Sequence, residues 1–278
     1  ETRISMHERM QKYGLYAPTF TAEEMRLLDS EPILLNAARP EFALLRIKIL
    51  RLARLTPLKS IDEDQLEHHH IKLADKLNKL QSLLYASKTK AVLLILQGMD
   101  TSGKDGVIRH VFSHVSPLGM HAVAFGAPTE IEKRHDFLWR VHNKLPPLGD
   151  MTIFNRSHYE DVLVTRVHGW VDKATCENRY KHIEHFESLL TDNDTVILKC
   201  YLHISRAEQK KRLQSRIDDP SKHWKLQPSD FEDRKLWPQF MTAYQDAIAA
   251  TSTKQAPWYI VPADSKPHRD LFIASLLV

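Results

Sequence analysis

Cysteine is nearly absent: Cys176 and Cys200 are the only two, too few for a disulfide framework and not spaced as a metal-binding pair. That scarcity implies two reduced structural thiols in a reducing compartment. Glycine is also scarce, with eight in 278 residues, so the fall of Gly98 and Gly103 into one short loop is informative. No apolar run approaches the roughly 20 residues needed to cross a bilayer. Residues Glu1 to Met10 are charged and polar, without the apolar stretch of a secretory signal. The expectation is a cytoplasmic protein with no membrane partner. Internal repeats and low-complexity linkers are lacking too. Charge of one sign is in only small excess, 39 Lys and Arg against 35 Asp and Glu, a formal net charge of +4. An anionic partner suits that balance, which by itself does not separate nucleic acid, phosphate polymer and nucleotide.

What is present reads as a packed α/β chain. Hydrophobic residues make up 42%, ordinary for a globular core. Residues 1–60 read as a partly helical arm, with helical stretches at 22–28 and 41–55 punctuated by Pro32, Pro40 and Pro57. Leu66, Leu73, Leu77, Leu80 and Leu84 then mark one face of a helix over about 64–86, serving as core or as a dimer seam. The continuous apolar run Ala91-Val-Leu-Leu-Ile-Leu96 reads as a strand buried on both faces, and similar short runs recur at 121–125, 151–154, 195–202 and 257–261. Helical segments separate them, two opened by Ser205 with Glu208 and Ser229 with Glu232, each spaced as a capping box. Strands alternating with helices predict a central five-stranded parallel sheet in a three-layer α/β/α domain over 61–278.

Directly after the first strand stands Gly98-Met-Asp-Thr-Ser-Gly-Lys104, the G-x-x-x-x-G-K pattern between a buried strand and a helix. The glycines let the backbone curl so that its N–H groups point at phosphate oxygens, and the helix N-terminus adds partial positive charge. Gly98, Thr101, Ser102, Gly103 and Lys104 are therefore candidate phosphate ligands. Asp105 occupies the position where Ser or Thr usually meets Mg²⁺, and Asp100 sits inside the loop. A carboxylate beside phosphates repels them unless a cation intervenes, so Asp100 is a candidate for holding Mg²⁺.

The strand at 151–154 runs into Asn155-Arg-Ser-His-Tyr-Glu-Asp161. Ligands in open α/β sheets bind beyond the carboxyl ends of the strands, so this cluster faces the same crevice as the loop. Arg156 can neutralise phosphate, and Glu160 and Asp161 can reach metal or nucleotide. P-loop enzymes usually place an Asp on this strand for Mg²⁺. Asn155 stands here instead; it can accept a hydrogen bond from a metal-bound water but brings no charge.

These motifs, with Pro128-Thr129, His135-Asp-Phe-Leu-Trp-Arg140, Asp219-Pro-Ser-Lys-His-Trp-Lys-Leu226 and Pro257-Trp-Tyr-Ile-Val261, resemble the polyphosphate kinase 2 family over about residues 35–278. The Asn-Arg-Ser-x-Tyr-Glu form is similar to the subgroup called class III. The resemblance implies a P-loop kinase-like fold with a helical lid. It also implies Mg²⁺-dependent, reversible transfer of a terminal phosphoryl group from inorganic polyphosphate to nucleoside mono- and diphosphates, AMP to ADP and ADP to ATP. By motif position it implies that Asp100, Lys104, Asn155, Arg156 and Glu160 are catalytic, with Arg166 the arginine after the second cluster. His135, Asp136 and Phe137, with Glu160 and Asp161, are the candidate nucleotide contacts.

A lid is expected over about 205–240. Arg206, Lys210, Lys211, Arg212, Arg216, Lys222 and Lys225 lie within residues 206–225, among only three acids. Arg212 and Arg216 are four apart and share one helix face that can point at the crevice, with Trp224 as an anchor. A polyphosphate path would draw on Lys104, Arg109, Lys133, Arg134, Arg140 and Arg166. The sixteen histidines show no zinc pattern: His68-His-His70 lacks a carboxylate, and Val111 stands between His110 and His114 where a zinc hydrolase carries glutamate. A homo-oligomer, dimer or tetramer, is expected, and no nucleic acid. The alternatives are an ATP-dependent nucleotide or small-molecule kinase on the same core, and a non-catalytic basic P-loop protein that binds nucleic acid. The crowding of Asp100, Asp105, Glu160 and Asp161 speaks against the latter.

Overall fold

A computed structural model describes residues 63–278. The arm expected over 1–60 lies outside the described residues. The helix α1 (Glu63–Ser87) leads into strand β1 (Ala91–Gln97). After it come α2 (Lys104–Val111), β2 (Met120–Ala124), the short α3 (Trp139–His142) and β3 (Met151–Asn155). The short α4 (Val164–Val167), the long α5 (Lys173–Asp192) and β4 (Thr195–His203) follow. A helical excursion then runs through α6 (Arg206–Asp218), a 3-10 turn (Pro220–Lys225), α7 (Pro228–Lys235) and α8 (Trp237–Thr251). Strand β5 (Trp258–Pro262) and α9 (Lys266–Leu277) complete the fold.

The five strands form one parallel sheet in the order β2-β3-β1-β4-β5. β1 lies at its centre, with Leu94 level with Ile153 of β3 on one side and Leu198 of β4 on the other. Successive side chains of a strand point to opposite faces. Leu93 and Ile95 accordingly join a core with Ile183 and Phe186 of α5 and Tyr244 and Ile248 of α8. Leu94 and Leu96 join a second core with Leu73 and Leu77 of α1, Val107 and Val111 of α2 and Leu271 and Ile273 of α9. The sheet is thus the middle layer of three. Burial on both faces is why β1 carries no polar alternation.

Two expectations need correction. β2 is an edge strand paired only with β3, so His121, Ala122 and Ala124 are exposed where a buried run was expected. Helix α7 starts two residues earlier than Ser229 implies: Pro228 fixes its first residue, and the Gln227 N–H donates to Asp230 (3.4 Å). The Ser205 cap is present, its Oγ accepting from Glu208 N–H at 3.1 Å. On α1, Leu66, Leu73 and Leu77 are buried, whereas Leu80 is 38% exposed. Among the described residues no helix is long and apolar enough to cross a membrane.

Candidate functional site

The turn after β1 bends because its residues permit left-handed backbone. Gly98, Thr101 and Gly103 have φ of 153°, 67° and 102°, a region that only glycine enters without strain. A Cβ on Gly98 would lie 2.7 Å from the carbonyl oxygen of Leu202 on β4. Lys104 opens α2 and folds back over the turn, its Nζ donating to the carbonyls of Gly98 (2.7 Å) and Met99 (3.3 Å). Burial lowers its pKa to about 8, helped by the Arg156 charge and opposed by Asp100, Glu160 and Asp105.

The end of β3 lies beside this turn because the two strands are neighbours. Asn155 Nδ2 donates to Asp105 Oδ1 (2.5 Å). Arg156 is left-handed, with φ of 63°, a conformation an L-residue with a side chain rarely adopts. Its N–H donates to the Leu96 carbonyl (3.0 Å), while its guanidinium reaches Asp100 (2.6 Å) and Glu160 (3.3 Å). Burial works against the Arg156 charge, but Glu160 and Asp100 outweigh it and raise its pKa. Burial likewise raises the Glu160 pKa, against the pull of Arg156 and Lys104.

Two buried anchors hold this segment. Gln97 Nε2 donates to Ser157 Oγ (3.0 Å). The Tyr159 hydroxyl donates to Glu187 (2.8 Å) and sits 3.1 Å from Lys199 Nζ, which is itself ion-paired with Glu187. Lys199 and Glu187 are both essentially inaccessible. Nothing in their local sequence marks this pair, which joins α5 to β4.

Loop, strand end and excursion enclose a cavity of about 530 Å³. Asp100, Thr101, Gly103, Lys104 and Asp105 line it from the loop side, with Arg109 from α2 and Asn155 and Arg156 from β3. The excursion contributes Arg212, Arg216, Lys222, Trp224, Lys225 and Asp230. Sequence reasoning missed Lys266 and Arg269, which α9 adds. It also missed Gln209, whose amide holds the Asp100 carbonyl at 3.2 Å. Arg212 is placed in the wall, yet its five N–H groups reach Glu208 and the carbonyls of Thr101, Ser102, Ala263 and Asp264. Those are all the donors a guanidinium has, so it braces the loop and gives the cavity charge rather than hydrogen bonds. Arg216 reaches the Lys225 carbonyl (3.0 Å) and Asp230 (3.4 Å). Trp224, expected as a packing anchor, is 72% exposed at the cavity.

Other candidates lie outside the cavity wall. Lys133 pairs with Glu130 (2.6 Å), and Arg134 is exposed beside it. Arg166 is drawn to Asp246 (2.7 Å) and the Tyr180 hydroxyl (3.1 Å), contacts that α4 makes with α8 and α5. His135 stacks on Trp139 with ring centroids 4.0 Å apart, and Asp136 accepts from the Leu138 N–H (3.0 Å). Phe137 lies under the Arg179 guanidinium, 5.2 Å from its ring centre. Arg140 reaches Asp161 (3.4 Å), whose pKa burial raises against the Arg140 charge. Among the described residues no three His, Cys, Asp or Glu converge to cage an ion. Asp100 and Asp105 in the cavity wall instead suit a divalent cation that draws most of its shell from phosphate and water.

Residues 60–278 match the family model described as Polyphosphate kinase 2. The AMP/ADP-polyphosphate phosphotransferase of Meiothermus ruber is 51% identical over 203 residues, 73% of this chain and 76% of that protein. The ADP-polyphosphate phosphotransferase of Rhodopseudomonas palustris is 43% identical over 226 residues, 76% of this chain and 78% of the relative. A crystal structure of polyphosphate kinase 2 from Arthrobacter aurescens superimposes with a TM-score of 0.78 at 44% identity, covering 81% of each chain.

Proposed function

Because the chain belongs to the polyphosphate kinase 2 family, we propose that it transfers the terminal phosphoryl group of inorganic polyphosphate to nucleoside mono- and diphosphates, making ADP from AMP and ATP from ADP. The reaction is reversible, its direction set by concentrations, because the phosphoanhydride bonds exchanged are alike. The observation that carries this reading is the shared cavity: Lys104 of the loop and Arg156 of the second strand line one space with Asp100 and the basic excursion.

Transfer between two phosphoanhydrides needs alignment and neutralisation of charge rather than a covalent enzyme intermediate. The backbone N–H groups of the loop and the N-terminus of α2 seat phosphate oxygens. Lys104 and Arg156 neutralise the group in transit, and Asp100 and Glu160 fix the direction of the Arg156 guanidinium through their ion pairs. The excursion acts as a lid: Arg216, Lys222 and Lys225 face the cavity and offset the polymer's charge. Enclosure keeps water from hydrolysing the anhydride. Mg²⁺ is the fitting cation, with Asp100 and Asp105 to hold it and Asn155 orienting Asp105; when bound, it offsets charge on the phosphates and helps align them.

The test is to incubate the protein with AMP or ADP, inorganic polyphosphate and Mg²⁺, with no ATP, and separate the nucleotides by anion exchange. ADP and ATP should accumulate. Unchanged nucleotide pools after prolonged incubation overturn the reading.

A further inference from the structure

Gly106 lies in the first turn of α2, and its φ is outside the left-handed range. Its backbone therefore does not require glycine, and glycine weakens a helix relative to alanine. The requirement comes from α9. A Cβ at position 106 would lie 3.0 Å from Nη2 of Arg269, and one at 103 would lie 1.9 Å from Nη1. Arg269 is 1% exposed and lies against both glycines. Its Nε and Nη2 reach Oδ1 of Asp270 (2.8 and 2.6 Å), whose Oδ2 lies 3.2 Å from His110 Nδ1 on α2. Nη1 lies 3.5 Å from the Ser102 carbonyl.

Stability alone does not explain a cation there. The N-terminal turn of α2 is its positive end, so the helix repels a guanidinium placed against it. Burial disfavours the charge further: Asp270 outweighs the repulsion from nearby Arg212 but does not offset the burial. Apolar residues in place of both Arg269 and Asp270, with alanine at 106, would fill the same space at lower electrostatic cost. An anion seated in the loop reverses the balance, because both the helix end and the guanidinium then face opposite charge.

We propose that Arg269 is a positioning residue for the phosphate loop. Gly103 and Gly106 are glycine to admit its guanidinium, which holds the turn from Ser102 to Gly106 in the shape that cups phosphate. This rests on the phosphotransfer reading above and extends it to a side chain from the last helix.

The experiment measures steady-state kinetics with inorganic polyphosphate and ADP for the wild type, Arg269→Met, Arg269→Lys, Gly106→Ala, Arg269→Ala and the double variant Gly106→Ala/Arg269→Ala, with melting temperatures alongside. Arg269→Met should raise KM for at least one phosphate substrate roughly 10-fold, the scale of a lost charge-assisted contact, and should lower the melting temperature, because it leaves buried Asp270 with only His110 beside it. Arg269→Lys should recover part of the loss. Gly106→Ala should impair the wild type but add nothing to Arg269→Ala, because the space it invades is then empty. Both KM values unchanged in Arg269→Met overturn the proposal, as does multiplication of the two effects in the double variant. If Arg269→Met does not fold, Gly106→Ala decides: full activity with Arg269 in place overturns the proposal. A wild type without turnover fails the phosphotransfer reading itself, a result distinct from an active wild type whose variants match it.

Discussion

Nη2 of Arg156 lies 2.6 Å from Oδ1 of Asp100, so the carboxylate of the phosphate loop holds the cation of the neighbouring strand. The pair joins the two motifs that line the cavity, and Glu160 grips the same guanidinium from its other side. Removing the charge at 100 should free Arg156 to swing and weaken cation binding in the wall. Asp100→Asn is expected to lower kcat roughly 100-fold or more and to move the Mg²⁺ titration to higher concentration, with the melting temperature nearly unchanged. A wild-type Mg²⁺ titration with wild-type kcat would count against this role.

Lys104 is the charged side chain that opens the helix behind the loop. Lys104→Ala should lower turnover roughly 1,000-fold or more, the range seen when a cation on a transferring phosphoryl group is removed. Circular dichroism should show an intact fold. A loss of less than about tenfold would mean that the loop is not the centre of the chemistry.

The pKa of Lys104 near 8, lowered by burial and by Arg156, makes substrate binding pH-dependent. The unfolded chain holds this proton up to the ordinary lysine value of 10.5, so between about 8 and 10.5 it binds more protons than the folded protein. Stability from this group therefore rises with pH through that window. Seating a phosphate favours the ammonium form, so binding near the upper part of the window should take up a proton. Calorimetry at one pH in two buffers of different ionisation enthalpy measures this. Equal heats in both buffers would contradict it.

Asn155 donates to Asp105, and Asn155→Asp would place two carboxylates at hydrogen-bond distance. Like charges that close share a proton, so one pKa rises. The variant should show a shifted Mg²⁺ requirement or AMP-to-ADP acceptor ratio, and a new pH dependence in the acid range. Adding Asp105→Asn restores a single carboxylate and should remove that new dependence. Identical metal titrations and acceptor ratios across the set would leave Asn155 without a role in the site.

Lys199 and Glu187 form a buried pair beneath Tyr159. Lys199→Met leaves buried Glu187 without its lysine cation, facing only the Tyr159 hydroxyl and His158, which should cost about 3–5 kcal/mol of stability. Lys199→Met/Glu187→Leu should recover most of that loss. Urea denaturation of the two variants measures both, and a single variant as stable as wild type would show that the pair carries no such load.

The sheet was legible because parallel strands covered on both faces leave continuous apolar runs, as at Ala91–Gln97. The edge strand β2 was the exception, since its neighbours decide its burial and the sequence does not record them. The glycine turn with Lys104 was legible because a phosphate loop is local: its backbone needs are written into adjacent residues. So was the second cluster, which takes its place from the strand it ends.

Local residue order thus encodes the apolar strands, the loop and the basic character of the excursion between β4 and β5. Packing of distant elements sets which cations serve the cavity. Arg166 turns to Asp246, Arg212 gives its donors to four carbonyls and a glutamate, and Arg269 reaches the loop from the last helix. Local periodicity encodes which face of an element is apolar. The long side chains of arginine and lysine instead take their direction from acceptors far away in the chain, and only the folded packing brings those acceptors within reach.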